Sequence, residues 1–177
     1  PDAGRIELDG SDMTSVPTQK RGVGVVFQHY ALFRHMTVIE NIEFGLRIRG
    51  IDRKTRRQRG EELLELVGLS GLGQRYPNQL SGGQRQRVAV ARALAYDPSV
   101  LLLDEPFGAL GVQVRSQVRE SFRELQRRLK MTTILVTHDQ EEALELGDRI
   151  GVLERGKLLE VGTPEKLYLR PRTEGVA

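Results

Sequence analysis

Apolar positions in this chain follow two rhythms. Three short runs are unbroken: Val23 to Phe27 (VGVVF), Val100 to Leu103 (VLLL) and Thr132 to Thr137 (TTILVT). Runs of this kind predict strands buried on both faces, as in a parallel sheet covered by helices. Elsewhere apolar residues recur at helical spacing. Val118, Phe122, Leu125 and Leu129 lie on one face of a helix predicted over Val112 to Lys130. Leu63, Leu64, Leu66 and Val67 predict an amphipathic helix over Glu61 to Val67, closed by Gly68. Val88, Ala91, Leu94 and Ala95 give a third helix its apolar face.

Punctuation sharpens these elements. Asp9-Gly10 marks a turn after a short strand at Arg5 to Leu8. Thr37 and Glu40 have capping-box spacing and open a helix that Gly45 can stop; Ser81 and Gln84 repeat that spacing. Gln140 to Leu146 is a short helix. Arg149 to Glu154 and Lys157 to Val161 flank Arg155-Gly156 as a hairpin, and Thr163-Pro164-Glu165 starts a last helix with proline at its first position. No strand alternation occurs between Arg47 and Ala95. The expected fold class is therefore α/β, with a mainly parallel sheet and an inserted helical subdomain: core at 1–46, helical subdomain at 47–95, core again at 96–177.

Composition changes this picture little. The chain has 177 residues, 38% hydrophobic and 29% charged, with a formal net charge of +3. It has no cysteine, which excludes disulfides and thiolate metal sites. No apolar run reaches the ~20 residues of a membrane span. The chain opens Pro1-Asp2-Ala3-Gly4 without methionine, so the expectation is a piece of a longer protein. Positive charge concentrates at Arg47, Arg49, Arg53, Lys54, Arg56, Arg57 and Arg59. A solvated helical face is the default reading of such a run, and phosphate or lipid binding is the other.

Candidate chemistry gathers at strand ends. VLLL runs into Asp104 and Glu105, and in open α/β sheets ligands bind beyond the carboxyl ends of strands. Adjacent carboxylates there are costly to desolvate unless a cation or a reaction uses them. The strand TTILVT ends at His138, which a strand–helix–strand unit places on the same sheet edge as Glu105. Gln28 ends VGVVF, and the aromatic, basic loop HYALFRHM follows it. In Ser81-Gly82-Gly83-Gln84, two glycines in a helix's first turn let a partner approach the backbone, and first-turn amides favour anions.

Taken together, LSGGQ at 80–84 followed by RQRVAVARAL, LLLDEP at 101–106, Gln28 after one strand and His138 after another resemble the ATP-binding-cassette (ABC) ATPases, whose core is of the P-loop NTPase type. The resemblance covers essentially the whole chain. It implies ATP and Mg²⁺ as cofactors. Asp104 and Gln28 would then serve the metal, Glu105 would be the general base that orients water, and Gln28 and His138 would sense the γ-phosphate. Ser81, Gly82, Gly83 and Gln84 would close over ATP held by a second ATPase subunit in a head-to-tail dimer. The loop from His29 to Met36 would receive membrane permease subunits, with a solute-binding protein acting indirectly and no nucleic acid expected. FQHYALFRHMTV and VTHDQEEALELGDRI are most similar to prokaryotic importers, the sulfate/thiosulfate type above all. That similarity implies a peripheral protein on the cytoplasmic face of the inner membrane.

The sequence departs from that family in two ways. No G-x-x-x-x-G-K-[ST] phosphate loop occurs in the 177 residues, and Gly111 stands where the family has an aspartate that bridges subunits. The expectation is an N-terminally truncated piece that does not hydrolyse ATP alone and is unstable in isolation, because neighbouring strands lose a partner. Alternatives are an importer ATPase for a polyamine, a sugar or molybdate, a relative that works on nucleic acid, and a non-catalytic remnant acting as an interaction module.

Overall fold

In a computed structural model, residues 3–108 and 112–173 are described. Strand β1 (Glu7–Leu8) pairs antiparallel with β2 (Ser11–Asp12). Asp9 and Gly10 between them have φ of 49° and 74°, the two left-handed residues of a type I′ hairpin turn. Strand β3 (Val23–Val26), β4 (Val100–Asp104) and β5 (Thr132–Val136) form a parallel sheet in that order. Its register pairs Val26 with Leu103 and Asp104 with Val136, so all three strands end together.

Between β3 and β4 the chain builds α1 (Val38–Ile48), α2 (Arg53–Leu66) and α3 (Gly82–Leu94). Val38, Ile39 and Ile42 of α1, Leu63 and Leu64 of α2, and Val88, Ala89 and Ala91 of α3 share one apolar core. The side of β3 at Gly24 rests directly on α3. A Cβ there would come within 2.8 Å of the Ala93 carbonyl oxygen, so only glycine permits this approach. Helix α4 (Val112–Leu129) connects β4 to β5, and α5 (Gln140–Leu146) follows β5. Strands β6 (Ile150–Glu154) and β7 (Lys157–Gly162) form the expected hairpin, and α6 (Pro164–Leu169) is capped by Thr163. Among the described residues no helix is long and apolar enough to cross a membrane.

Several sequence expectations need correction. Gly45 does not stop α1, which runs three residues further to Ile48, carried by the buried face of Val38, Ile39, Ile42 and Leu46. The helix expected from Glu61 starts at Arg53, because Asp52 caps it by accepting from the amides of Lys54 and Thr55. The basic run is not simply a solvated face. Arg56 and Arg57 each bring Nε to 3.0 Å from a carboxylate oxygen of the buried Glu43, and Arg59 pairs with Asp97. Strand β5 is not buried on both faces: Ile134 and Val136 are about half-exposed. Leu102 beside them in β4 is only partly buried, whereas Leu101 and Leu103 are fully buried.

Candidate functional site

The carboxyl ends of β3, β4 and β5 bring together three of the residues singled out by sequence. Gln28, two residues beyond β3, donates from Nε2 to Glu105 Oε2 at 2.9 Å. His138, two residues beyond β5, places Nδ1 3.1 Å from Glu105 Oε1. Each carboxylate oxygen of Glu105 thus has its own neighbour. The imidazole is 75% exposed and the Glu105 side chain 31%. The histidine therefore presents its far edge to solvent while its near edge is engaged.

Backbone geometry sets up this cluster. Glu105 has φ of +43°, a left-handed conformation that costs energy for a residue with a side chain and persists only when its surroundings enforce it. Its N–H donates to the Val136 carbonyl, extending the β4–β5 ladder by one residue. Its carbonyl accepts from the Gly108 N–H. The next residues, Pro106 and Phe107, are fully buried, and Phe107 meets Phe122 of α4 edge-on at 5.8 Å. The chain is therefore pinned on both sides of the glutamate. Gly108 sits against the pair: a Cβ there would lie 3.2 Å from Gln28 Nε2.

The turn from β5 into α5 orients His138. Thr137 Oγ1 donates to the buried Glu142 at 2.6 Å and accepts from the Asp139 N–H at 3.0 Å. Asp139 caps α5 through the Glu142 amide and receives Arg115 of α4 at 3.1 Å. Burial pushes the Asp139 carboxyl up, but the Glu142 amide, the Arg115 guanidinium, the Glu141 amide and the charge of Arg119 outweigh it and hold that carboxyl below its usual range. Sequence reading passed over Thr137, Asp139 and Glu142, although Asp139-x-x-Glu142 has the spacing of a helix start.

Asp104 ends β4 with its side chain exposed. Among the described residues no group of three or more His, Cys, Asp or Glu forms a cage for a metal ion. Mg²⁺ does not need one, because it keeps several waters and is held by one or two carboxylates plus phosphate oxygens. The hard oxygen donors of the Asp104 carboxylate and the Gln28 side-chain amide fit that ion.

Ser81, Gly82, Gly83 and Gln84 form a second feature at the start of α3. Ser81 Oγ accepts from the Gln84 N–H, and Gln84 Oε1 accepts from the Ser81 N–H at 2.9 Å, a complete capping box. Arg85 donates back to the Leu80 carbonyl at 2.6 Å. The loop before the helix is thus held from two sides; Gly82 is partly exposed and Gly83 is buried.

The aromatic loop that follows Gln28 is also built rather than slack. Tyr30 and Ala31 have φ of 62° and 47°. Arg92, near the other end of α3, donates to the Tyr30 and Ala31 carbonyls at 2.9 and 2.6 Å and lies over the Phe33 ring. Asn41 of α1 is fully buried; its amide donates to the Phe33, Met36 and Thr37 carbonyls and accepts from the Phe33 N–H. Neither Arg92 nor Asn41 was a candidate from sequence, since a helical arginine or asparagine gives no local signal of a contact made far along the chain.

Gly111 lies outside the described residues. One stretch, Gly151 to Lys157, has the glycine–lysine spacing of a phosphate loop, but Leu158 follows the lysine and the segment forms the β6–β7 hairpin.

The chain is similar to known proteins along nearly its whole length. Residues 1–108 match the family described as ABC transporter. The chain is 56% identical over 171 residues to a sulfate/thiosulfate import ATP-binding protein CysA from Mycobacterium bovis, covering 97% of this chain and 49% of that protein. The protein of the same name from Thermosynechococcus vestitus is 58% identical over 97% of this chain and 51% of its own length. That from Nocardia farcinica is 56% identical over 99% and 53%. The chain spans about half the length of the curated relatives it matches.

Proposed function

This chain belongs to the ABC transporter family, and from that premise we propose that it forms part of the ATP-hydrolysing subunit of an importer for sulfate or thiosulfate. The observation that carries the proposal is Glu105, held left-handed at the end of β4 between Gln28 and His138. A general base must sit within hydrogen-bond reach of the proton it takes, at a fixed position. Glu105 meets the second condition through its backbone and its two side-chain neighbours. In this reading Asp104, with Gln28, serves Mg²⁺. The ion supplies charge neutralisation to the phosphates, and Glu105 orients the attacking water. His138 offers its exposed ring edge to the γ-phosphate, and Gln28 links that event to the loop behind it.

Ser81, Gly82, Gly83 and Gln84 would cover ATP bound by a second copy of the subunit. Capped helix amides attract a polyphosphate without enclosing it. The loop from His29 to Met36, fixed by Arg92 and Asn41, would receive a membrane permease. These partners place the subunit at the cytoplasmic face of the membrane, with a solute-binding protein on the other side.

Sulfate or thiosulfate is proposed because the CysA proteins carry that name and share more than half of the chain's residues in the matched region. Nothing in the ATPase residues reads the solute. Uptake of labelled sulfate by a strain lacking its own sulfate-import ATPase, complemented by the full-length gene, tests it. Restored sulfate uptake is expected. Restored uptake of molybdate, a sugar or a polyamine without sulfate would reassign the solute and leave the ATPase proposal intact.

A further inference from the structure

The tip of the α1–α2 hairpin concentrates exposed positive charge that the proposed ATPase does not use. Nine consecutive residues, Arg47 to Thr55 (RIRGIDRKT), are all exposed. They carry four cations, Arg47, Arg49, Arg53 and Lys54, against the single carboxylate of Asp52. That local excess equals the formal +3 of the whole chain.

The tip is ordered by its backbone. Gly50 has φ of +77°, its N–H donates to the Arg47 carbonyl, and the Ile51 N–H reaches back to the Leu46 carbonyl. This is the paired closure of a Schellman helix end. One residue later Asp52 caps α2. The hairpin therefore presents its tip as a fixed shape. In a Schellman end the residue in the place of Ile51 commonly packs back on its own helix. Here Ile51 is 37% exposed and Ile48 is 70% exposed.

Half of this charge is placed where the fold by itself disfavours it. Arg47 and Arg49 sit at the C-terminal end of α1, where the helix dipole favours cations, and they lie over the Phe44 and Tyr96 rings. Arg53 and Lys54 occupy the first turn of α2, where the dipole disfavours them, and that turn contains no acidic residue. Among the described residues neither has an ion-pair partner, whereas Arg56, Arg57 and Arg59 further along the helix do. Helix stability does not account for two cations at that end.

We propose that this hairpin tip is a surface for anionic phospholipid: Arg47, Arg49, Arg53 and Lys54 engage headgroup phosphates while Ile48 and Ile51 enter the interface. The isoleucines decide between the two anionic surfaces open to such a patch. A nucleic-acid backbone offers nothing to an exposed aliphatic side chain, whereas the headgroup–acyl boundary accepts it. Basic residues near an anionic leaflet act additively and are screened by salt. The proposal goes beyond ATP hydrolysis and permease docking: it gives the chain its own contact with the bilayer.

The test is co-sedimentation of the full-length protein with vesicles of phosphatidylcholine alone or containing phosphatidylglycerol. Binding is expected to the phosphatidylglycerol vesicles only, and to fall as salt rises. R53E/K54E is expected to weaken it by more than about tenfold. Both positions are solvent-exposed, so the variant should fold; should its circular dichroism spectrum change, R53Q/K54Q replaces it and is expected to weaken binding in the same direction. I48N/I51N is expected to weaken binding while leaving the salt dependence. Equal binding to both vesicles, unchanged binding by the charge variants, or duplex DNA outcompeting the vesicles would overturn the proposal. The assay reads no nucleotide chemistry, so its failure leaves the ATPase proposal standing, and failure of that proposal leaves the assay unaffected.

Discussion

The side-chain amide of Gln28 donates at 2.9 Å to the carboxylate of Glu105, a residue 77 positions later in the chain. The contact joins the end of β3 to the end of β4, and β3 leads directly into the aromatic loop. Glu105 is thereby positioned by the segment proposed to meet the permease. Replacing Gln28 by alanine removes one of the two side-chain neighbours of Glu105 without touching its backbone. The expected result in the full-length protein is a fall in kcat of about 10²-fold, the scale of a misplaced reacting group. Steady-state kinetics at saturating Mg-ATP check it; an unchanged kcat would show that the contact has no part in turnover.

Arg92 ties the far end of α3 to the Tyr30 and Ala31 carbonyls and lies over Phe33. Lysine keeps the charge but cannot span two carbonyls with a planar fork. Arg92→Lys is expected to destabilise the protein by about 1.5–3 kcal/mol, the range for hydrogen bonds to a charged group. Amides of residues 29–36 should exchange faster, while those of β4 change only through global stability. Chemical denaturation and amide exchange measure both.

Three helix starts depend on ionised carboxylates. Hydrogen bonds from Thr55 and Lys54 hold Asp52 below its usual range, those from Thr37 hold Glu40 below its own, and Asp139 is lowered as described above. For a group lowered by folding, the stabilisation is fully present above the unfolded pKa and is lost as pH falls through the folded one. The first turns of α1, α2 and α5 are therefore expected to loosen below about pH 4, near the unperturbed carboxylate values. Asp52→Asn keeps a good cap and removes the titration. Amide shifts of Lys54 and Thr55 followed through an acid titration should move in the wild type and stay flat in that variant.

Strand and helix identities were legible because their periods are clean and their caps are local. Thr37–Glu40 and Ser81–Gln84 form the boxes their spacing predicts, and VLLL, VGVVF and TTILVT pair in parallel as expected. The failures share one cause, which is that burial and partners come from distant chain. Gly45 reads locally as a stop, but the packing of Ile39, Ile42 and Leu46 against residues of α2 and α3 carries the helix past it. TTILVT reads as buried, but Ile134 and Val136 face outward on a strand whose outer edge has no partner among the described residues. Arg56 and Arg57 read as solvated because nothing local says that Glu43 is buried beneath them. At the site, Gln28, Glu105 and His138 were legible as strand-end residues. Thr137, Asp139, Arg92 and Asn41 support them through contacts that a single sequence does not display.

The central claim is that Glu105 is the base of an ATP-hydrolysing site. Single-turnover hydrolysis of Mg-ATP by the full-length protein, wild type against Glu105→Gln, tests it most directly. Glutamine preserves the size and one hydrogen-bonding oxygen but cannot take a proton. The expected result is nucleotide binding within about twofold of wild type and a hydrolysis rate lower by about 10²–10⁴-fold, the contribution of a positioned base. Hydrolysis at the wild-type rate by the glutamine variant would contradict the account.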